Sequence, residues 1–359
     1  MAERAASSYE GDRYPQLLRT PNHRWWRPLV GLLLAAVTVI AVGLGLGVMT
    51  VVIAWLRGDD ADEAAEDSLS ADTPIGLLAN NLILAALIPA VMLAVLAVHR
   101  TRVGWLSSVT GRLRQGPVLR LLPVGLGVVV VFFALSLLIP GEGAGDIDVP
   151  ETPTLVGLLA VIVLTTPLQA AAEEYGFRGY LTQALASWFS RPALGSSVAA
   201  LVSALLFALA HGTQEPALFA DRFAFGLVAS WLVWRTGGLE ASIVLHVVNS
   251  VVSLGWTAAT GSIEESLTLS SLDWPYAVLD VTMMVVYAAA VDRLARRWNM
   301  AVRRDPAAVL PPVVPGHDGR TWRPTAPPDL LSGPPDVGYP VQRPDTPPRA
   351  GEGSPWGMG

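Results

Sequence analysis

Two adjacent carboxylates and an arginine stand out in an otherwise apolar stretch of the chain. Glu173 and Glu174 precede Arg178, and residues 155–172 upstream contain no charged side chain. Ionisable groups are costly in such surroundings, so they mark a candidate functional site. On a helix Glu174 and Arg178 share a face, whereas Glu173 points about 100° away from Glu174. We therefore expect the arginine to hold one carboxylate and to leave the other free to take a proton. A purely structural ion pair is the alternative interpretation.

Two of the five histidines lie in apolar runs and extend this candidate site. His211 comes one turn after Phe207, and His246 lies in an apolar stretch that continues to Asn249. Glu173 and His211 flank a predicted Arg-Pro turn at similar distances, so an antiparallel hairpin would bring them to about the same height. His246 reaches that height only if the hairpin protrudes from the membrane or if the next short span turns deep within it.

These residue types fit the hydrolysis of a peptide bond by activated water. Glu173 with His211 would act as a general base, and His246 with Asn249 would donate hydrogen bonds to the developing oxyanion. Alternatively, Glu173, His211 and His246 would bind zinc and leave a position open for water. The sequence contains neither the His-Glu-x-x-His pattern of zincins nor a serine nucleophile elbow. Both mechanisms therefore stay open at this point.

The composition indicates a polytopic membrane protein. Of 359 residues, 52% are hydrophobic and 15% are charged, with a mean hydropathy of +0.46. The absence of cysteine excludes disulfides and thiolate chemistry. The net charge of −6 gives no indication of nucleic-acid binding. A polar segment precedes the first apolar run, which is too long for the core of a signal peptide, so no cleavable signal is expected.

Hydropathy predicts an all-α polytopic membrane protein with about eight transmembrane helices. They are expected at residues 29–56, 75–98, 121–139, 155–189, 194–211, 222–234, 239–259 and 275–291. The predicted organisation is a polar, loose N-terminus over residues 1–27, a transmembrane domain over 28–304 and a tail over 305–359. The tail holds 14 of the 28 prolines, which predicts disorder. It is a candidate for binding a partner, although a solvated tail is the simpler interpretation.

The distribution of arginines predicts the orientation in a cell membrane. All 24 Lys and Arg residues are arginine, and they concentrate in the N-terminus, the second-to-third loop and the segment after the eighth span. With eight spans these segments fall on one side, and the loops between them are acidic. The positive-inside rule then places both termini in the cytoplasm.

Three motifs in order resemble the CAAX protease and bacteriocin-processing family, called CPBP or Abi. They are Glu173-Glu174-x-x-x-Arg178, Phe207-x-x-x-His211 and His246 near an asparagine, and the resemblance covers about residues 155–259. It implies a CPBP-like helical bundle that acts as an intramembrane endopeptidase on a membrane-associated peptide or protein. Its eukaryotic relative, the type II CAAX prenyl endopeptidase, removes the last three residues of prenylated proteins.

The resemblance also implies roles for individual residues. Glu173 would be the catalytic base, His211 its partner and His246 an oxyanion or metal group, with Glu174, Arg178 and Phe207 in support. The family is often called a metalloprotease family, while a metal-free glutamate mechanism is also argued, so a zinc cofactor is left open. The motifs do not identify the substrate.

One position departs from the family pattern. The family usually has Asn or Asp four residues after the last histidine, where this chain has Ser250, and Asn249 comes one residue earlier. This departure favours the main alternative, a non-catalytic immunity or scaffold protein of the same fold. A third hypothesis is a proton-coupled transporter with a relay of Glu173, His211 and Arg178. We find no inverted repeat of the kind that transporters often contain.

Overall fold

The computed structural model describes residues 11–58, 60, 73–139, 149–261, 263 and 270–305, together with the backbone of 314–315 and 321–322. Within these ranges, eight spans are long and apolar enough to cross a membrane, which confirms the predicted all-α polytopic membrane fold. The helices are α1 (Arg27–Arg57), α2 (Pro74–Ala85), α3 (Leu87–Ala94), α4 (Gln115–Ser136), α5 (Thr152–Glu174), α6 (Thr182–Ser187), α7 (Pro192–Leu209), α8 (Pro216–Thr236), α9 (Glu240–Thr260) and α10 (Trp274–Arg297).

Two of the spans are composite. A π-helical turn, Val95–His99, continues α3 and completes the second span. A π-helical segment, Tyr175–Leu181, joins α5 to α6 and makes the fourth span 36 residues long. π-Helical insertions often occur at functional sites, and this segment carries Arg178.

The predicted disordered tail lies mostly outside the described residues. The structure describes only the backbone of a short antiparallel pair there, β1 (Val314–Pro315) with β2 (Thr321–Trp322). Only the backbone pairing of these four residues is described, and the pair lies outside the transmembrane helices.

The outer surface of the bundle is apolar. On α1, Leu33, Ile40 and Leu44 are each more than 60% exposed. A contiguous apolar surface of this extent is unfavourable in water and is typical of a face that meets lipid. The chain is therefore a multi-pass membrane protein whose helices bury their polar side chains inward.

Helix α9 lies at the centre of the bundle and packs against α5, α4 and α8. Helices α7 and α8 approach closely because Gly226 has no side chain; a Cβ there would lie 2.6 Å from Cα of Ala204. Gly237 then ends α8 in the left-handed conformation, with φ of 72°, which glycine adopts without strain. The chain thereby turns directly into α9 and brings three site-bearing helices together.

A buried ion pair closes the arginine-rich end of the bundle. Arg114 donates from Nε to Glu240 Oε1 at 2.8 Å and from Nη2 to Oε2 at 2.6 Å. It also donates to the carbonyls of Thr236 and Ala301 at 2.9 and 3.0 Å. Because the carboxylate is fully buried and meets a bidentate donor, the pair fixes the α8–α9 turn against the start of α4.

The N-terminal segment differs from the loose chain expected from the sequence. Tyr14, Leu17 and Leu18 are at most 1% exposed, and the side chain of Gln16 donates to the carbonyl of Pro192 and to Ser196 Oγ. The expectation of a loose segment is wrong for these residues because three large apolar side chains find a pocket against the ends of the helices. Its apolar side chains were too few and too close together to be recognised as an element.

Candidate active site

Glu174 and Arg178 form a fully buried ion pair at the end of α5. Arg178 Nη1 lies 3.1 Å from Glu174 Oε1, and neither side chain is exposed. The guanidinium also stacks on aromatic rings, with Cζ 4.1 Å from the centre of Phe207 and 5.2 Å from that of Phe225. A desolvated cation gains most from such faces. The arginine therefore holds Glu174 and is itself held by two phenylalanines from α7 and α8.

His246 of α9 connects both carboxylates. Its Nδ1 is 3.0 Å from Glu174 Oε1, and its Nε2 is 3.8 Å from Glu173 Oε2. The first distance is a hydrogen bond, in which Nδ1–H donates to the buried carboxylate. The second is too long for a direct bond and leaves room for a hydrogen-bonded group between the two atoms. Glu174 thus orients the imidazole, and Nε2 faces the second carboxylate.

Glu173 keeps a free carboxylate oxygen next to that histidine. Its Oε1 accepts a hydrogen bond from the side chain of Gln169, one turn earlier on α5. No arginine pairs with it among the described residues, and its side chain is 13% exposed. A general base needs a carboxylate oxygen that is free to accept a proton from water, and the position of Glu173 Oε2 meets this requirement.

His211 lies just after α7, near the same two residues. Its Nδ1 hydrogen-bonds the carbonyl of Phe207 at 2.8 Å, and its ring packs edge-on against that phenylalanine. With Nδ1 as the donor, Nε2 is left as an acceptor. His211 is close enough to Glu173 and His246 for their charges to act on it, but no hydrogen bond joins it to Glu173. The structure therefore brings these three predicted residues into one region, with His246 nearer to Glu173 than His211 is.

The structure places Asn249 elsewhere. It faces a separate cavity of about 230 Å³ between α4, α9 and α10, together with Tyr276 and Asp280. Asn249 is three residues after His246, about 60° away around the helix, and this angle turns it from α5. Ser250 is half-buried, and no hydrogen bond joins it to another described residue. Their catalytic and supporting roles stay predictions.

A second polar pair lies next to that cavity. Asp221 on α8 and Asp280 on α10 lie close enough for their carboxyl groups to interact electrostatically, and Asp221 Oδ1 is buried without a hydrogen bond to a described residue. Two carboxylates cannot share a hydrogen bond unless one of them carries a proton. Sequence reasoning did not single out this pair, because the two residues are 59 positions apart and each lies near the start of its helix.

Two further site residues were missed from the sequence. Gln169 had a signal, since it is the polar residue one turn before Glu173 in a charge-free run. Phe225 stacks on Phe207 with ring centres 5.4 Å apart and meets His246 edge-on at 4.9 Å. No sequence pattern distinguishes Phe225 from other apolar residues of α8, because its role depends on how the helices pack.

The predicted zinc ligands do not form a three-ligand set. Among the residues that the structure describes, no three His, Cys, Asp or Glu side chains are arranged to hold a metal ion. Glu173 and His246 offer two donor atoms 3.8 Å apart, whereas Nδ1 of His211 bonds a backbone carbonyl. Zinc requires its protein donors at about 2.0–2.2 Å from the ion. Of the three predicted ligands, only Glu173 and His246 therefore present donor atoms within 4 Å of each other.

Comparisons with known proteins cover the part of the chain that builds this site. Residues 155–252 match the family model described as type II CAAX prenyl endopeptidase Rce1-like. The uncharacterized protein YyaK of Bacillus subtilis (strain 168) is 32% identical over 102 residues, which are 27% of this chain. The match spans a third of that relative's own length, 33%. No solved structure matches the chain. The matched region contains all of the ionisable residues of the candidate site.

Proposed function

Since residues 155–252 belong to the Rce1-like family, we propose that this membrane protein is an endopeptidase that hydrolyses a peptide bond of a membrane-associated substrate. One observation carries the proposal. His246 places one ring nitrogen on a buried, arginine-paired carboxylate and the other opposite a carboxylate without such a partner. This geometry gives the adjacent glutamates different tasks, one orienting and one accepting a proton.

The proposed reaction uses a water molecule between Glu173 and the histidines. Glu173 takes a proton from the water while its oxygen attacks the scissile carbonyl carbon. His246, held by Glu174, accepts a hydrogen bond at Nε2 from the attacking water and then from the hydroxyl group of the tetrahedral intermediate. The tetrahedral intermediate collapses, the C–N bond breaks, and the proton on Glu173 passes to the leaving amine. This path accounts for every proton with groups of the chain and is general acid–base catalysis.

His211 and Asn249 are the other two residues of the proposed mechanism, and His211 is better placed for its role than Asn249. His211 presents an Nε2 acceptor in the same region as Glu173 and His246, so it is suited to accept a hydrogen bond from the same water. Asn249 would donate to the oxyanion only after α9 turns its face toward α5. Stabilisation of an oxyanion by one such donor is typically worth about 10²–10³-fold in rate.

The position of Asn249 also favours a second candidate function. A non-catalytic scaffold or immunity protein would keep the buried Glu174–Arg178–His246 cluster for packing and would not need an oxyanion donor. The free carboxylate of Glu173 is the feature that a scaffold does not explain, because a partly buried carboxylate without a cation costs stability.

The proposed orientation places both termini in the cytoplasm. The Arg114–Glu240 pair and the N-terminal segment lie at the end of the bundle that bears the arginine-rich segments. His246 is six residues into α9 from that same end, about two helical turns. A substrate would therefore meet the site near the cytoplasmic side of the membrane.

The test is proteolysis by the purified full chain in lipid nanodiscs. A library of membrane-tethered peptides is incubated with wild type and with Glu173→Gln, and products are identified by mass spectrometry. Cleavage at defined bonds by wild type and its loss in the variant are expected. Equal product formation by both proteins would remove Glu173 from the mechanism, and no cleavage of any library member would favour the scaffold.

A further inference from the structure

A cavity of about 190 Å³ lies on the side of Arg178 that faces away from His246's helix, between α7, α8 and the N-terminal segment. Its polar wall comprises Arg178, Thr182, Ser196, Ser197 and Ser230. Trp231 and Trp234 of α8 and Pro15 of the N-terminal segment close it. The proposed reaction uses neither this cavity nor its hydroxyl groups.

Two of the donors that line the cavity, Arg178 and Ser230, lack acceptors. Arg178 is fully buried, and none of its three guanidinium nitrogens makes an aligned hydrogen bond with a described residue; the contact with Glu174 is an ion pair only. Ser230 is 6% exposed, and its Oγ is also without a hydrogen-bond partner. Buried polar groups are nearly always hydrogen-bonded in native proteins. Donors from two elements that converge on one cavity therefore indicate that it holds an acceptor.

The charge around the cavity favours an anion. Glu174 offsets the charge of Arg178, but a second cation lies at the rim. The guanidinium of Arg13 stacks 4.2 Å above the ring of Trp234, which is a wall of the cavity. No carboxylate pairs with Arg13 in the described part of the chain. A tetrahedral oxyanion would accept hydrogen bonds from Arg178 and Ser230 and would lie near the guanidinium of Arg13.

The size and the surroundings of the cavity favour a lipid as the source of that anion. Its volume equals that of about six water molecules, enough for a phosphate and part of its ester but not for an acyl chain. Leu227 and Trp231, which line it, are 36% and 40% exposed on the apolar outer surface. An amphiphile could therefore keep its chains in the bilayer while its headgroup enters between α7 and α8.

We propose that this cavity binds the phosphate group of a membrane phospholipid, with Arg178 and Ser230 as donors. The acyl chains lie along Leu227 and Trp231 on the outer face of α8. The site shares Arg178 with the ion pair that positions His246, and it uses neither Glu173 nor His211. It would also hold the guanidinium of Arg178 from the side opposite Glu174.

The test measures thermal unfolding of the purified, delipidated full chain in a neutral detergent. A short-chain phosphatidylglycerol is titrated, with a monoacylglycerol of equal chain length, sodium laurate and inorganic phosphate as separate probes. We expect the phospholipid alone to raise Tm, by roughly 5 °C at a hundredfold excess over Kd. A rise with inorganic phosphate as large as with the phospholipid would show an ion site rather than a lipid site. A rise with laurate and none with the phospholipid would assign the cavity to a carboxylate. Either result overturns the proposal.

Matched variants test whether the rise in Tm comes from binding in this cavity. Ala200→Leu fills the cavity from α7 and should abolish the rise, whereas Ala193→Leu adds the same atoms at an exposed position of α7 and should preserve it. Ser230→Ala removes one donor and should raise Kd about tenfold without lowering Tm in the absence of lipid, because its hydroxyl has no partner to lose. An undiminished rise of Tm in Ala200→Leu would refute the site. If Ala200→Leu does not fold, an unchanged Kd in Ser230→Ala would refute it instead.

Discussion

The adjacent residues Glu173 and Glu174 provide the sharpest test of the proposed mechanism. The same substitution should remove turnover at Glu173 and lower stability at Glu174. Glu173→Gln keeps the shape of the side chain and removes a base that no arginine neutralises. Loss of a general base typically lowers the rate by about 10²–10⁴-fold, which corresponds to about 3–5 kcal/mol of transition-state stabilisation. Its fold should be intact, because the residue is partly exposed and its Oε1 contact with Gln169 can persist with an amide oxygen.

Glu174→Gln should instead act on stability. Glu174 Oε1 contacts both Arg178 and His246, and both members of the ion pair are fully buried. An amide leaves the guanidinium charge without a counter-charge in an apolar setting, and breaking a buried pair in this way costs about 3–5 kcal/mol. We expect low yield and a lowered Tm, with activity reduced in proportion to the folded fraction and further by the freed imidazole.

The assay compares three purified proteins in nanodiscs, namely wild type and the two glutamine variants. Tm comes from tryptophan fluorescence and turnover from mass spectrometry of a cleaved library peptide. The expected pattern is normal Tm with no turnover for Glu173→Gln, and low Tm with residual turnover for Glu174→Gln. The reverse pattern would refute the assignment of base and orienting carboxylate. A similar loss of Tm in both variants would show that the pair acts only in packing.

Four further predictions test the membrane topology, the metal, the role of Asn249 and the Asp221–Asp280 pair. Reporter fusions after Glu66, Arg112, Asp146 and Arg304 should report outside, inside, outside and inside; any other order contradicts the arginine-based orientation. Active protein should retain full turnover after chelation, with less than stoichiometric zinc by elemental analysis; chelator inactivation that zinc reverses would favour the metal mechanism. Asn249→Ala should lower turnover on the order of 10²-fold and Ser250→Ala much less, which requires α9 to turn Asn249 toward substrate. The opposite ranking would assign the oxyanion role to Ser250, the position that the family pattern uses. If neither substitution changes turnover, the scaffold hypothesis is favoured. Asp280→Asn can donate a hydrogen bond to the neighbouring carboxyl of Asp221 and should leave Tm within a few degrees, whereas Asp280→Leu removes the polar neighbour of that buried carboxyl and should lower Tm clearly; equal Tm values would exclude a structural role for the pair.

The sequence predicted the helices well because their signal is local. Runs of about 20 apolar residues indicate membrane spans whatever their neighbours are, and the eight expected spans are present among the described residues. The Glu174–Arg178 contact was predictable for the same reason, since residues four apart share a helix face. The 3.1 Å ion pair lies where that spacing placed it.

The contacts between helices were not predictable in the same way. His246 seemed too shallow to meet Glu173 when heights were counted from the turns, yet its Nδ1 reaches Glu174. The π-helical segment between α5 and α6 changes those heights, and it has no clear sequence signal. The orientation of Asn249 depends on the rotation of α9, which is set by packing against α4 and α5. The helical angle between His246 and Asn249 alone did not determine which neighbouring helix Asn249 faces.

The buried N-terminal segment has a consequence for how the protein is made. The segment emerges from the ribosome before its partners, since Gln16 bonds Pro192 and Arg13 stacks on Trp234. Arg304, which pairs with Asp12, comes 292 positions after it. The segment can therefore reach its final position only when the last helix has been inserted. Until then three large apolar side chains stay available to chaperones or proteases. A chain that stops before Arg304 would lack the Asp12–Arg304 ion pair, the contact of this segment whose partner is made last.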